Sequence, residues 1–466
     1  MAIYNNKFKK DSMKTFKKSN IISALILLLI VGFWYFIYIS PYFERESPDI
    51  QIPNMSYWNL KYDIPIKIND KSGVKSYKVI AIIENEERVL LDKDGNSENE
   101  IKFNLPRPKI NLSNGDKIVY KIIARDNSNY NFFLGNKIEK EFELIIDTKL
   151  PKVRIIQMSN VITKGGSAAV VFYVSDDAIG DISVTNGYQS FVVFPFHKPN
   201  YYVSIIPWYI TNPTFKGAII AKDKAGNTRK FSINFIRYNR NYRTSNLTLK
   251  SNFIDGKITE LIENENEFEI DKFKSPIEMF KYVNEVIRNK DSDKIDSKIL
   301  NLDSSLDNIT SFKPIENAKI VGLFGDHRIF SFNKMDAGEA YHLGIDLASV
   351  KNASIIASND GLVVMSEELG IYGNTIIIEH GYGIASLYSH LDSRYKKEGD
   401  IVKKGEIIGR SGSSGLAFGD HLHFGILVQG RFSISNEWMD SKWLKINIID
   451  VLNNAKEIIE RDNAKD

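Results

Sequence analysis

The run His421-Leu422-His423-Phe424-Gly425-Ile426-Leu427-Val428 sets two imidazoles two residues apart at the head of an apolar, β-type stretch. On an extended strand, residues i and i+2 point to one face, so both rings can address the same small volume. Seven histidines occur in the chain, at 197, 327, 342, 380, 390, 421 and 423, and the five from His342 onward fall within one predicted domain. Zinc takes neutral imidazole and carboxylate readily, and a catalytic zinc keeps three protein ligands and one open position. Working outward, His342-Leu343-Gly344-Ile345-Asp346 adds an imidazole and a carboxylate, and Gly344 argues for an extended turn there rather than a helix. His390 ends a further strand-like run, Ile384 to Ser389. Taken singly, each has a bland reading: a core or surface imidazole, or a capping aspartate. Their weight comes from company.

The surrounding motifs carry a resemblance. Phe324-Gly325-Asp326-His327-Arg328 comes first, followed by His342-x-Gly344-x-Asp346. Tyr372-Gly373-Asn374-Thr375 leads to Ile376 through Gly381, then Leu387-Tyr388-Ser389-His390-Leu391. Gly399-Asp400-x-Val402-x-Lys404-Gly405, Ser411-Gly412-Ser413-Ser414-Gly415 and His421-x-His423-Phe424-Gly425 complete the order. From about Lys313 to about Arg431 the chain resembles the lysostaphin-like, LytM-type zinc endopeptidases. The resemblance implies a largely antiparallel β fold with an open groove. It makes His342, Asp346 and His423 the ligands of Zn2+, with His390 and His421 as general base and proton shuttle. The implied activity is hydrolysis of peptide cross-links of bacterial peptidoglycan by attack of a zinc-bound water. No His-Glu-x-x-His helix is present, which excludes thermolysin-type chemistry. Tyr341 stands where many relatives carry a second histidine, a position outside the five site residues. His380 reads as structural, as does His327, and His197 as unrelated; Arg328 is a candidate for holding the groove or a substrate carboxylate. The glycines, Gly344, Gly373 and Gly415 among them, read as turn residues. A non-catalytic peptidoglycan-binding scaffold, or an activator of other wall hydrolases, is the alternative, and the intact set of five polar residues argues against it.

The rest of the chain supplies the setting. With 466 residues, 43% hydrophobic and 12% aromatic, there is enough apolar material for about three packed domains. A formal charge of +3 gives no nucleic-acid signature. No cysteine is present, so disulfides, CxxC metal sites and thiol nucleophiles are excluded. Ile21 to Ile39 is apolar except for Ser23 and Gly32, and six lysines between Lys7 and Lys18 precede it. Its length suits a membrane span, and the flank holds the amino terminus in the cytoplasm. An uncleaved anchor is favoured over a signal peptide, because Ser40-Pro41-Tyr42-Phe43-Glu44 offers no small-x-small cleavage site.

From about Pro48 to Arg240, short β-type runs alternate with turns such as Asp94-Gly95-Asn96. A weak repeat pairs Ile122-Ile123-Ala124-Arg125-Asp126 with Ile219-Ile220-Ala221-Lys222-Asp223, and the second copy loosely resembles bacterial immunoglobulin-like modules. The expected fold is therefore multidomain and mainly β. It comprises a basic cytoplasmic tail (1–20), a transmembrane helix (21–39) and two β-sandwich, immunoglobulin-like modules (45–150 and 151–240). A helical and polar linker (241–312), an antiparallel β peptidase domain (313–440) and a C-terminal helix (441–466) follow. The expected partners are peptidoglycan peptides and the cytoplasmic membrane, with no nucleic acid; cell-division or other envelope proteins stay open. The expected location is the cytoplasmic membrane, single-pass, with the catalytic domain on the extracytoplasmic side.

Overall fold

A computed structural model describes residues 6–265, 270–299 and 308–463. The chain divides into two units, Met1–Leu150 with Asp223–Asn227, and Pro151–Lys222 with Thr228–Asp466.

The first unit opens with the helix Asn6–Ile39. The apolar span Ile21–Ile39 is its second half, and none of that span is buried. Lysine and serine do not break a helix, so the element runs on into the basic tail. Beyond it, the strands Pro65–Ile83 and Glu86–Asn104 form a long hairpin, extended by Lys117–Asp126 and Lys137–Ile146. Along Lys117–Asp126 every second residue (Ile118, Tyr120, Ile122, Ala124) is fully buried, the period of a strand with one wet face. The expected two-sheet sandwich is corrected here: hydrogen bonding runs through one six-stranded sheet. Register shifts between Asn69 and Val74 and between Val79 and Ile80 break the ladder of its longest hairpin. Such shifts bend a strand, which lets one sheet curl over its own core.

The sequence repeat has a physical basis. Asp126 accepts from the Asn136 backbone N–H (2.7 Å) and side-chain amide (2.7 Å). Asp223 accepts from Asn227 in the same two ways, at 2.8 and 2.9 Å. Each asparagine then donates to the chain entering its module, Asn136 to Glu44 O and Asn227 to Asp147 O.

The second unit starts with two four-stranded sheets, facing each other through Phe172, Val184, Ile206 and Ile219. Next come the helices Thr259–Glu265, Pro276–Lys281 and Arg288–Ile299; the wider turn Ile254–Ile258 leads into the first, and Tyr282–Ile287 joins the second to the third. These are not a polar linker. Ile258, Ile262, Phe280, Val283, Ile287 and Ile295 are buried in the same core as the following β domain. The polar stretch expected after Ile287 is mostly helix to Ile299, and residues 300–307 lie outside the described residues.

The β domain is built on a ten-stranded, antiparallel sheet, with His327–Phe332 and Met335–Tyr341 in a separate three-stranded sheet. At its centre Leu422–Val428 lies between Ile345–Ala348 and Ile384–Arg394. The C-terminal helix Asp450–Asn463 turns back onto the first sandwich strands. Val451, Leu452, Ala455 and Ile459 form its buried stripe, and Arg154 pairs with Asp462 at 2.9 Å.

Candidate active site

Strand register builds the site. Asp346 pairs directly with His423, and His423 pairs on its other side with Ser389, the residue before His390. His390 has φ +61°, a left-handed backbone that few non-glycine residues hold without support. His342 arrives on the turn before Ile345–Ala348. His342 Nε2, Asp346 Oδ1 and His423 Nδ1 then lie 2.9 to 3.0 Å from one another.

The tautomers follow from the second partners. His342 Nδ1 lies 2.9 Å from Leu323 O, which only accepts, so in the neutral ring the proton sits on Nδ1 and Nε2 keeps its lone pair. His390 Nδ1 is likewise held by Ser414 O (2.8 Å) and His421 Nδ1 by Gly419 O (2.7 Å). Both therefore keep Nε2 for the groove. His421 Nε2 lies 3.6 Å from Asp346 Oδ1, and the His390 ring centroid is 4.9 Å from that of His421 and 5.7 Å from that of His423.

Burial sets the charges. Burial alone works to raise the Asp346 pKa, but the close contacts with His342 and His423 outweigh it and hold the carboxyl well below the usual range. Burial pushes His423 down to about 4 and His390 well below its ordinary value. Both rings are thus neutral near pH 7, the form a metal ligand or a general base requires. The site fits a divalent cation. Two imidazole nitrogens and a carboxylate oxygen aim at one point, and a cation shared between them accounts for that convergence.

Close approach explains Gly344. A Cβ there would stand 2.5 Å from His423 Nε2 and 2.7 Å from Phe424 O, so this glycine clears space for the imidazole and is not simply a turn residue. Gly373 and Gly415, with φ +64° and +66°, hold left-handed turns as expected.

The other histidines stand apart. His380 bonds to Asp360 O and Ser386 Oγ and packs edge-on against Phe312. His327 pairs with Glu339 and stacks on Tyr341. His197 pairs with Glu460. Arg328 reaches Asp346 Oδ2 and Asp326 Oδ2, both at 3.5 Å.

All five site residues line one groove of about 790 Å³. The sequence reading did not anticipate what else lines it. Phe253, Phe280 and Arg288 come from the helical segment, and Phe253 stacks on Phe418 with centroids 4.4 Å apart. Nothing in the helical periodicity of that segment marked it as a groove wall.

A centre of two imidazoles and one carboxylate able to hold a metal ion, with two further imidazoles beside it in an antiparallel groove, is a set of groups suited to hydrolysis. Residues 340–433 match the model of Peptidase family M23, and the chain carries an M23 domain of the LytM type. Over 90 residues the chain is 39% identical to DD-carboxypeptidase/endopeptidase Mpg of Neisseria meningitidis serogroup B, covering 19% of this chain and 21% of that protein. Peptidoglycan DD-endopeptidase ShyA of Vibrio cholerae serotype O1 is 38% identical over 92 residues, 20% of this chain and 21% of that protein. Murein hydrolase activator NlpD of Escherichia coli strain K12 is 41% identical over 96 residues, 20% of this chain and 25% of that protein. The matched segment thus spans a fifth to a quarter of these relatives.

Proposed function

We propose that this chain is a membrane-tethered zinc endopeptidase that hydrolyses peptide cross-links of bacterial peptidoglycan. The observation that carries the reading is the convergence of His342 Nε2, Asp346 Oδ1 and His423 Nδ1 within 3.0 Å of each other, with His390 and His421 beside them. His342, Asp346 and His423 are the residues to hold the ion. Zinc, when bound, supplies a Lewis acid that polarises the scissile carbonyl and acidifies a water. His390, its Nδ1 proton committed to Ser414 O, offers Nε2 to take a proton from the attacking water. His421, held by Gly419 O and the more exposed of the two, offers a second free Nε2 through which that same proton passes to the leaving amine. Arg328 steadies Asp346 from its second oxygen. Similarity to two relatives named as DD-endopeptidases supports the substrate. The apolar helix Ile21–Ile39 supports a single-pass tether, with the domain on the extracytoplasmic side.

The likeness to a relative named as a murein hydrolase activator favours a second reading, in which the groove binds wall peptide without cutting it. One experiment separates them. Purified full chain is assayed for zinc by elemental analysis and for release of new amino groups from isolated wall, beside Asp346→Asn and His390→Ala. The enzyme reading expects about one zinc per chain and release that both variants abolish, with zinc lost only from Asp346→Asn. Wild-type protein that releases no amino groups leaves the activator reading standing.

A further inference from the structure

We propose that Arg288, brought to the groove by the helical segment, forms with Arg328 a subsite for a carboxylate of the peptide substrate. This rests on the peptidase reading above and names the substrate's charge. Both side chains line the same groove as His342, Asp346, His390, His421 and His423. Arg288 is fixed before any ligand arrives: its Nε donates to Asn284 O (3.0 Å) and its Nη2 to Asn284 Oδ1 (2.9 Å). Asn284 is itself buried and donates to Glu339 O at 3.0 Å, which ties the pair to the strand Met335–Tyr341. Among the described residues no carboxylate makes an ion pair with Arg288. Asp291, one turn on, is turned to the Ile371 N–H at 2.8 Å.

Burial works against the Arg288 charge; Tyr372 and Asp291 offset part of it, and the positive Arg328 adds to the cost. A desolvated cation with no carboxylate paired to it is expensive. Arg328, although it faces Asp326 and Asp346 at 3.5 Å, brings a second guanidinium to the same cavity, which favours an anion there. The planar fork of arginine matches a carboxylate in two parallel hydrogen bonds. The ligand class is therefore a peptide with a free carboxylate close to the bond that is cut, either an α-carboxylate or a side-chain one.

The test uses full-length protein and synthetic cross-linked peptides in three forms: free carboxylates, α-amidated, and side-chain amidated. Wild type is expected to lose roughly ten- to hundredfold in kcat/KM, chiefly through KM, when the recognised carboxylate is amidated. Arg288→Gln is expected to shrink the ratio between free and amidated peptide to under twofold, and Arg288→Lys to restore part of it. Equal use of free and both amidated peptides by wild type overturns the proposal. So does a ratio that Arg288→Gln leaves unchanged. Failure of wild type to cut any of the three overturns the peptidase reading itself, a separable result.

A different observation carries a second inference independently: the loop Tyr130 to Leu134 dips into the face of the bilayer that the helix Asn6–Ile39 crosses. Phe132, Phe133 and Leu134 are 93%, 70% and 60% exposed. Asn131, Phe132 and Phe133 all hold left-handed backbone, at φ +59°, +57° and +67°. Aromatic residues rarely adopt it, and strain of this kind persists where the surroundings enforce it. The enforcing contacts tie the loop base to the chain just beyond Ile39. Asn129 N donates to Tyr42 O (2.7 Å), and Ser128 Oγ (2.6 Å) and Asn136 Nδ2 (2.9 Å) both donate to Glu44 O. Arg45 lies 5.2 Å from the Tyr38 ring centroid and 5.5 Å from that of Tyr130, which ties Tyr130 to the neighbourhood of the helix's last turn. Aromatic rings and arginine are the side chains favoured at a membrane–water interface.

This second inference rests on the helix being a tether. The absence of cysteine makes single-site labelling direct. An environment-sensitive dye is placed at Leu134→Cys in full chain reconstituted in phosphatidylcholine–phosphatidylglycerol vesicles. Glu87→Cys, at the far turn of the long hairpin, is the control. Gly73, which accepts from Asn127 N, marks the loop's end of that hairpin, and Ile82, opposite Glu87, is nine residues on, roughly 30 Å of strand. The dye at 134 is expected to shift to the blue and to be quenched by nitroxide-labelled lipid, and the dye at 87 to do neither. Protein that floats with the vesicles while the dye at 134 reports water overturns the inference. Protein that does not float overturns the tether.

Discussion

Replacing Asp291 by asparagine removes a carboxylate that the fold keeps in an unfavourable place. Asp291 is 3% exposed and accepts the Ile371 N–H, where the helical segment meets the wall of the groove. Burial raises its pKa from 3.8 to about 7; Glu265 adds to the rise, and Arg288 and Lys294 only partly oppose it. The difference, roughly three pH units, corresponds to about 4 kcal/mol between the charged and neutral forms. Because the folded value lies above the unfolded one, this stability is complete below about pH 4. It drains away as pH rises toward 7, at about 1.4 kcal/mol per pH unit, and changes little beyond. Asparagine is neutral throughout and can still accept from Ile371. Asp291→Asn is therefore expected to stabilise the second unit over wild type by about 4 kcal/mol at pH 8 and by about 1.5 kcal/mol at pH 5. Urea unfolding followed by tryptophan fluorescence, at pH 5, 6, 7 and 8, reads the difference between the two proteins, in which all other titrations cancel. Parallel stabilities across that range would refute the reasoning, since they mean that Asp291 sits in water and the segment is not docked on the β domain.

Gly344→Ala drives a methyl group against His423, and a roughly ten- to hundredfold loss of zinc affinity is expected, read by titration with a competing chelator. Alanine at His421 is expected to lower kcat by roughly two to four orders of magnitude while zinc content is retained, which elemental analysis checks beside the rate. Phe312 is fully buried against His380, Phe424 and Trp438, so Phe312→Ala opens a cavity and is expected to cost about 3–5 kcal/mol in urea unfolding. Removing metal with a chelator is expected to abolish wall hydrolysis, with zinc restoring it and the far-UV circular dichroism unchanged, because the sheet around the ligands is closed by its own hydrogen bonds.

What the sequence made legible follows from where each signal lies. Asp346 and His423 were readable because each sits in a short motif on a strand, and period-2 alternation fixes which face a strand residue takes. The apolar span Ile21–Ile39 was readable because composition alone carries it. The single sheet of the first unit was not, since alternation says that Lys117–Asp126 is a strand without saying which strands it joins. Arg288 was hidden for a related reason. It stands at the start of Arg288–Ile299, a helix of mostly charged and polar residues that reads as a solvated face, and only the burial of Ile287 and Ile295 beside it turns that helix inward. The candidate metal centre is thus local information, written within about eighty residues. The groove wall is tertiary information, which depends on how a preceding segment docks. That difference has a chemical consequence. In the proposed mechanism the β domain alone supplies the ion's ligands and the proton-transfer groups, whereas the charge proposed to meet the substrate comes in part from a helix that is separately docked. A substitution that loosens the helix, at Phe280 or Ile287, therefore changes substrate preference before it changes the chemistry at the ion.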